Sequence, residues 1–189
     1  NMMLWASGVD IGEGNKSFIR NALGDAFEET WEMAEFLYKN HKEFFLLPKD
    51  VAIEVDGNRV ALEVPELPTK YPIYDIGIRT LQEIRPLMIN AGCILWNGPA
   101  SYFELPGFAF GTIEILNMCT ESSAVTIVGG GHTSSLVSNR GVVDQVTHNS
   151  TGGGACLTML SGGSMPVIQS LTKSNDKFRS LLPSLEIDN

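Results

Sequence analysis

Two glycine triplets, Gly129-Gly130-Gly131 and Gly152-Gly153-Gly154, each stand between a strand-like run and a helix-compatible stretch. The first follows Ala124-Val125-Thr126-Ile127-Val128 and leads through His132 and Thr133 into residues 134–138. The second follows Val146-Thr147-His148-Asn149 and Ser150-Thr151, and leads into residues 155–160. A helix N-terminus carries backbone N–H groups with no intrahelical partner and about half a positive charge. Glycine, lacking Cβ, lets those amides close on phosphate oxygens, so the chemistry these loops suit is phosphate or nucleotide binding. The simpler reading is that each triplet is only a tight turn, but two triplets in the same setting favour a site. Neither is followed by the Lys-Ser or Lys-Thr of a P-loop, and Ser134 and Leu157 occupy the last glycine position of a dinucleotide fingerprint. None of the 13 Lys and Arg residues falls within 97–104, 129–135 or 150–155. A phosphoryl-transfer site needs cationic groups to offset charge, so part of such a site would lie elsewhere.

The elements that must position these loops read as an α/β fold. Cys93-Ile94-Leu95-Trp96, ending in Asn97-Gly98-Pro99-Ala100, is a third strand-like run with a small-residue exit. Strands alternating with helices argue a largely parallel sheet with crossover helices, whose ligands bind outside the carboxyl strand ends. Val128 and Asn149 are expected near those ends on neighbouring strands. Residues 17–41 read as one or two amphipathic helices with Gly24 as the break. Phe44-Phe45-Leu46-Leu47 reads as a short buried strand stopped by Pro48. Residues 51–55 and 60–64 flank Asp56-Gly57 as a hairpin, residues 65–72 form a proline-rich loop, and 80–90 form a helix disturbed by Pro86.

With 189 residues, 43% hydrophobic and 19% charged, the chain is long enough for one domain with a core of its own. Its net charge of −9 argues against nucleic-acid and membrane partners, and no apolar run approaches a membrane span. Cys93, Cys119 and Cys156 show no metal or disulfide spacing and read as buried free thiols. His41, His132 and His148 are equally scattered, and His148 reads as a core histidine; Met2 and Trp5 read as core residues. An intracellular, cytoplasmic protein is the expectation.

Leu95-Trp96-Asn97-Gly98-Pro99 with Phe103-Glu104, Phe108-Ala109 and Gly111-Thr112 resembles the nucleotide-binding stretch of phosphoglycerate kinase. So do Ile127-Val128-Gly129-Gly130-Gly131-His132 and His148-Asn149-Ser150-Thr151-Gly152-Gly153-Gly154-Ala155. Leu47-Pro48-Lys49-Asp50-Val51 and Asp75-Ile76-Gly77 resemble further family landmarks in the same order, and His132 with Tyr71-Pro72-Ile73 resembles the archaeal branch. The resemblance covers about residues 1–171. It implies a Rossmann-like nucleotide domain, with 1–189 its later part and 173–189 a C-terminal tail. The opening strands, a lysine-bearing segment and the N-terminal phosphoglycerate-binding domain are then missing partners.

The implied reaction is reversible phosphoryl transfer between ATP and 3-phosphoglycerate in glycolysis and gluconeogenesis, with ATP or ADP and Mg²⁺ at this site. Asn97 would approach the phosphates, Pro99 would line the adenine pocket, and Glu104 would accept hydrogen bonds from the ribose. Gly130, Gly131, His132 and Thr133 would hold the β-phosphate side. Gly152 and Gly153 would present amides to the phosphoryl group in transfer, and Gly130, Gly131, Gly152 and Gly153 are the implied catalytic residues. Two departures matter: Ser101-Tyr102 puts a bulkier side chain at the adenine pocket wall, and His132 stands where a metal-holding Asp is usual, leaving the metal ligands unassigned. The alternative is a non-catalytic nucleotide-binding module or remnant. A dinucleotide-dependent oxidoreductase ranks last, because the fingerprint fails.

Overall fold

The computed structural model describes residues 1–179. The chain opens with helices α1 (Met2–Ala6), α2 (Glu13–Leu23) and α3 (Phe27–His41). Gly24 separates the last two at φ 53°, a left-handed value that glycine adopts without steric cost. Strands β1 (Asp50–Val55) and β2 (Asn58–Glu63) form the expected hairpin. Asp56 and Gly57 both take positive φ, at 50° and 82°, which matches the twist of the flanking strands. β3 (Ile73–Ile76) adds antiparallel to the other side of β1, giving a three-stranded sheet in the order β2-β1-β3. Val51, Ala52 and Ile53 of the central strand are buried, and Val51, Ile53 and Ile73 form a core with Leu4 and Ile11.

Helix α4 (Ile78–Ile89) leads into β4 (Cys93–Asn97), α5 (Phe110–Glu121), β5 (Val125–Gly129), α6 (Gly131–Asn139), β6 (His148–Ser150), α7 (Gly153–Leu160) and α8 (Pro166–Phe178). Strands β4, β5 and β6 pair in parallel, in that order. Ile94, Trp96 and Val128 pack from this sheet against Leu116 and Cys119 of α5 and Leu136 and Val137 of α6. Leu95 and Val125, alternating with those positions, remain exposed on the opposite face. The α/β class with a parallel sheet is therefore present, accompanied by a separate antiparallel sheet. Of the tail 173–189, residues 173–178 continue α8, and 180–189 lie outside the described residues. No helix among the described residues is long and apolar enough to cross a membrane.

Several sequence expectations are corrected. Residues 44–47 are not a strand: a short 3-10 turn (Lys42–Phe44) runs into extended chain, with Phe44 80% exposed. Among the described residues no neighbouring strand takes up its backbone, and Pro48 removes a donor. Only Cys119 is buried among the cysteines, where desolvation pushes its thiol up to about 11; Cys93 is exposed at the start of β4 and Cys156 half-buried. His148 is exposed on edge strand β6 rather than in the core. Trp5 is half-buried, with its ring 4.1 Å from that of Trp31. Pro86 lies inside α4 near its end, where little of the helix remains to be disrupted.

Asp50 ties the two halves together. Its carboxylate accepts hydrogen bonds from the amides of Arg79 (3.0 Å) and Thr80 (2.8 Å) and from the Thr80 hydroxyl (2.6 Å), capping α4 from the neighbouring strand. Burial pushes its pKa up, but these bonds and the nearby Arg79 charge outweigh it, so the carboxyl titrates below its ordinary value. A folded-state pKa below the unfolded one contributes stability above about pH 4 that is lost as pH falls through the folded value. Asp50→Asn, whose amide turns a donor towards those donors, should lose about 2 kcal/mol at pH 7. Urea unfolding at stepped pH checks this, and the gap between variant and parent should narrow on acidification.

Candidate functional site

Parallel pairing sets the site. In register, Asn97 lies beside Gly129, and Gly129 beside Ser150, so the carboxyl ends of β4, β5 and β6 finish level; Val128 pairs with Asn149. Helix α6 starts immediately after Gly130, whose φ of 95° and ψ of 140° turn the chain from strand to helix in one residue. Helix α7 starts at Gly153, three residues after β6.

The two triplets and Asn97 close on one another. A Cβ built on Gly153 would fall 2.5 Å from Asn97 Oδ1, 2.6 Å from Gly130 Cα and against the Gly130 nitrogen. One on Gly129 would lie 3.0 Å from Asn97 Oδ1, and one on Gly130 3.4 Å from it. At residue 153 only glycine permits this approach. The first backbone bonds of the two helices run from Ser134 to Gly130 and from Cys156 to Gly152. The amides of Gly131, His132, Thr133, Gly153, Gly154 and Ala155 therefore have no helical carbonyl partner. Two positive helix ends thus meet beside the Asn97 side chain in a cradle suited to an anion.

Within this cradle the sequence-derived residues divide. Thr133 is fully buried, and its hydroxyl donates to the carbonyls of Gly129 and Gly130, the latter at 3.0 Å. That side chain braces the loop, leaving only its amide for a ligand. The Gly152 amide donates to Ser150 Oγ at 3.1 Å, so the available donors begin at Gly153. His132 is exposed and sits edge-on to Phe103 at 6.5 Å, which brings the loop after β4 over the start of α6. Glu104, next along that loop, is exposed.

The same loop is pinned from below. The Ser101 amide donates to Thr112 Oγ1 at 3.1 Å, and the Tyr102 amide donates to the Tyr74 carbonyl at 2.7 Å. Pro99, Ser101 and Tyr102 line a cavity of about 710 Å³ with Tyr74, Phe18 and Asn15. Asn15 is itself buried and shapes that wall, donating to Tyr71 O at 3.0 Å and accepting from the Ile73 amide at 2.9 Å. Beneath the loop, Asp75 accepts from the Gly111 amide at 3.0 Å and from Arg59 at 2.8 Å. Burial raises the Asp75 pKa, against the lowering effect of these partners.

Sequence reasoning did not single out Asn15, Phe18 or Tyr74 for the site. Each reaches the cavity from a distant segment, and Asn15 reads locally as an ordinary polar helix residue. A Tyr beside the Asp75-Ile76-Gly77 landmark was the one available hint. Among the described residues, no three His, Cys, Asp or Glu side chains converge to hold a metal ion.

A parallel sheet whose strand ends feed glycine-capped helices into one crevice defines an α/β protein of the kind that takes ligands outside its carboxyl strand ends. A family model described as phosphoglycerate kinase matches residues 1–163, and the chain belongs to that family. The phosphoglycerate kinase of Methanopyrus kandleri is 38% identical over 172 residues, which make up 90% of this chain and 41% of the relative. That of Methanobacterium bryantii is 38% identical over 179 residues, 95% of this chain and 43% of the relative. The crystal structure of phosphoglycerate kinase from Pyrococcus horikoshii superposes with a TM-score of 0.84 at 32% identity, covering 94% of this chain and 44% of that one. The enzyme from Coxiella burnetii gives 0.71 at 34% identity, covering 89% and 43%. The chain thus spans about two-fifths of the length of the curated relatives it matches.

Proposed function

We propose that this chain is the ADP- and ATP-binding part of a cytoplasmic phosphoglycerate kinase. The enzyme passes the terminal phosphoryl group of ATP reversibly to the carboxylate of 3-phosphoglycerate in glycolysis and gluconeogenesis. A phosphoglycerate-binding domain supplies the other substrate from outside this chain. The observation that carries the reading is the convergence of Gly130, Gly153 and Asn97 between two helix N-termini. The amides of Gly131, His132 and Thr133 would hold the β-phosphate, and those of Gly153 and Gly154 would face the phosphoryl group in flight, where developing charge is stabilised by fixed donors. Gly130 and Gly152 set the turns that aim them. Pro99 borders the cavity for the base, Asn97 approaches the phosphates, and Glu104 accepts from the ribose hydroxyls.

A hard dication prefers carboxylate oxygens, and the cradle offers amides, the Asn97 carboxamide, the Thr133 and Ser150 hydroxyls and the His132 imidazole. This donor set does not hold Mg²⁺ by itself. Nor does any Lys or Arg sit in residues 97–104, 129–135 or 150–155. That absence favours a second reading for the chain taken alone: a nucleotide-binding module without transfer activity.

Joining the chain to a relative's complementary portion and assaying with MgATP and 3-phosphoglycerate separates the two readings: turnover supports the first and its absence the second. The chain by itself should give no turnover above background, while ADP still binds it with a Kd near 1 mM. Glu104→Ala should weaken that binding by about 1–2 kcal/mol, as expected for a lost bond to a charged acceptor. An unchanged Kd would remove Glu104 from the site.

A further inference from the structure

Helix α8 (Pro166–Phe178) lies beyond the span that the family model matches, and no residue of it is buried. Val167, Leu171 and Phe178, at four- and seven-residue spacing with Ile168 beside them, put one apolar stripe along its length. Val167 is 72% and Leu171 65% exposed, and an open apolar stripe of this kind marks a contact surface. Lys177 lies 5.1 Å over the Phe178 ring, so a cation borders the stripe. Lys173, Lys177 and Arg179 stand against one acid, Asp176, which makes this end basic in an otherwise acidic chain. A second uncovered apolar surface lies on α3. Met33 and Phe36 are 54% and 55% exposed, and the Phe36 ring continues through His41 to Phe44 in two steps of 6.3 Å. Glu29 and Glu32 stand one turn before Met33 and Phe36 on the same side of the helix, and α3 holds four glutamates against one lysine. Both surfaces are open in the same molecule, so α8 does not cover α3 of its own chain.

We propose that α8 is a docking helix for a second copy of this chain, seated antiparallel along the outer face of that copy's α3. The order of groups along the two helices sets the direction. In α8 the apolar residues lead and the cations follow, whereas in α3 the glutamates lead and Phe36, His41 and then Phe44 follow. Running one helix against the other brings Lys177 and Arg179 to Glu29 and Glu32, and Val167, Ile168 and Leu171 to Phe36 and Phe44. The lengths agree, at about 20 Å for the 13 residues of α8 and about 22 Å for the 15 of α3. Complementary charge selects this direction over the parallel one, and the opposed helix dipoles favour it too. Burial of the two apolar stripes supplies the attraction.

Sedimentation velocity of the full chain over about a 100-fold concentration range should show reversible self-association. Leu171→Glu and Phe36→Glu, which would each bury a charge in the apolar seam, should each weaken it at least about 10-fold. Their circular dichroism should match the parent's, because both side chains are exposed within one chain. A charge-reversal experiment removes any dependence on the folding of a single variant. Lys177→Glu with Arg179→Glu, and Glu29→Lys with Glu32→Lys, should each associate at least about 5-fold more weakly than the parent. A mixture of the two should return to within about 2-fold of the parent, because the reversed α8 of one meets the reversed α3 of the other. A chain that stays monomeric throughout overturns the proposal, as does association that Leu171→Glu and Phe36→Glu leave unchanged. A mixture no tighter than either reversed variant alone overturns it too. A monomeric chain in which Leu171→Glu costs stability only after joining to a relative's complementary portion assigns α8 to that portion instead, and equally overturns the second-copy assignment.

Discussion

Gly153→Val should abolish ADP binding. The first added carbon would lie 2.5 Å from Asn97 Oδ1 and 2.6 Å from Gly130 Cα, against backbone that cannot swing aside as a long side chain could. Relief requires the two glycine loops to part, which moves the start of α7 away from the start of α6 and separates the two sets of free amides. The stability cost should be about 1–3 kcal/mol, the usual range for overpacking, and the binding loss should exceed what an NMR titration can follow. Gly154→Ala is the matched control. Nothing lies within 4 Å of its added carbon, and it sits in the first turn of α7, so it should fold at least as well as the parent. Denaturant unfolding and ADP titration of both variants give the comparison. Equal ADP affinities for the two would mean that the close approach at residue 153 has no part in binding.

Arg59→Met should destabilise the fold by about 3 kcal/mol at pH 7 through a carboxylate it leaves behind. The Asp75 side chain is wholly buried and pairs with Arg59 at 2.8 Å. The guanidinium also lies 5.9 Å from the Phe108 ring and 5.8 Å from that of Phe110. Asp75 already titrates above its ordinary value because of burial, and removal of Arg59 deletes two of the influences that hold it down. With the folded pKa above the unfolded one, the ionised group costs stability at neutral pH, and the cost disappears as pH falls and Asp75 takes up a proton. The deficit measured by denaturant unfolding should therefore shrink between pH 7 and the acid side of the folded pKa. The double variant Asp75→Asn with Arg59→Met should recover much of the loss. A deficit independent of pH would assign the effect to packing against the two phenylalanines.

Elements governed by local chemistry were legible in the sequence. Asp56-Gly57 demanded a turn of positive φ and formed one, and Gly24 broke a helical pattern where its backbone leaves the helical region. The parallel sheet, and the places of Val128 and Asn149 near the ends of neighbouring strands, followed from repeated strand-to-glycine-loop units. Features set by distant partners were hidden. Residues 44–47 have a strand's composition but, among the described residues, no strand to pair with, and β3 contains only four residues, too few for an alternation to register. The bracing role of the Thr133 hydroxyl depends on carbonyls that come within reach only once the strand turns at Gly130. At the site, the glycine loops were visible as types and spacing, whereas the wall made by Asn15, Phe18 and Tyr74 exists only after α2 and β3 meet the loop following β4.

The most direct test of the nucleotide site is an amide-resolved NMR titration of this chain with ADP. Progressive shifts at Gly131, His132, Thr133, Gly153 and Gly154, with Asn97 and Tyr102 moving in step and a common Kd near 1 mM, are the expected result. Shifts confined to the hairpin around Asp56, with the cradle amides unmoved at saturating ADP, would contradict it.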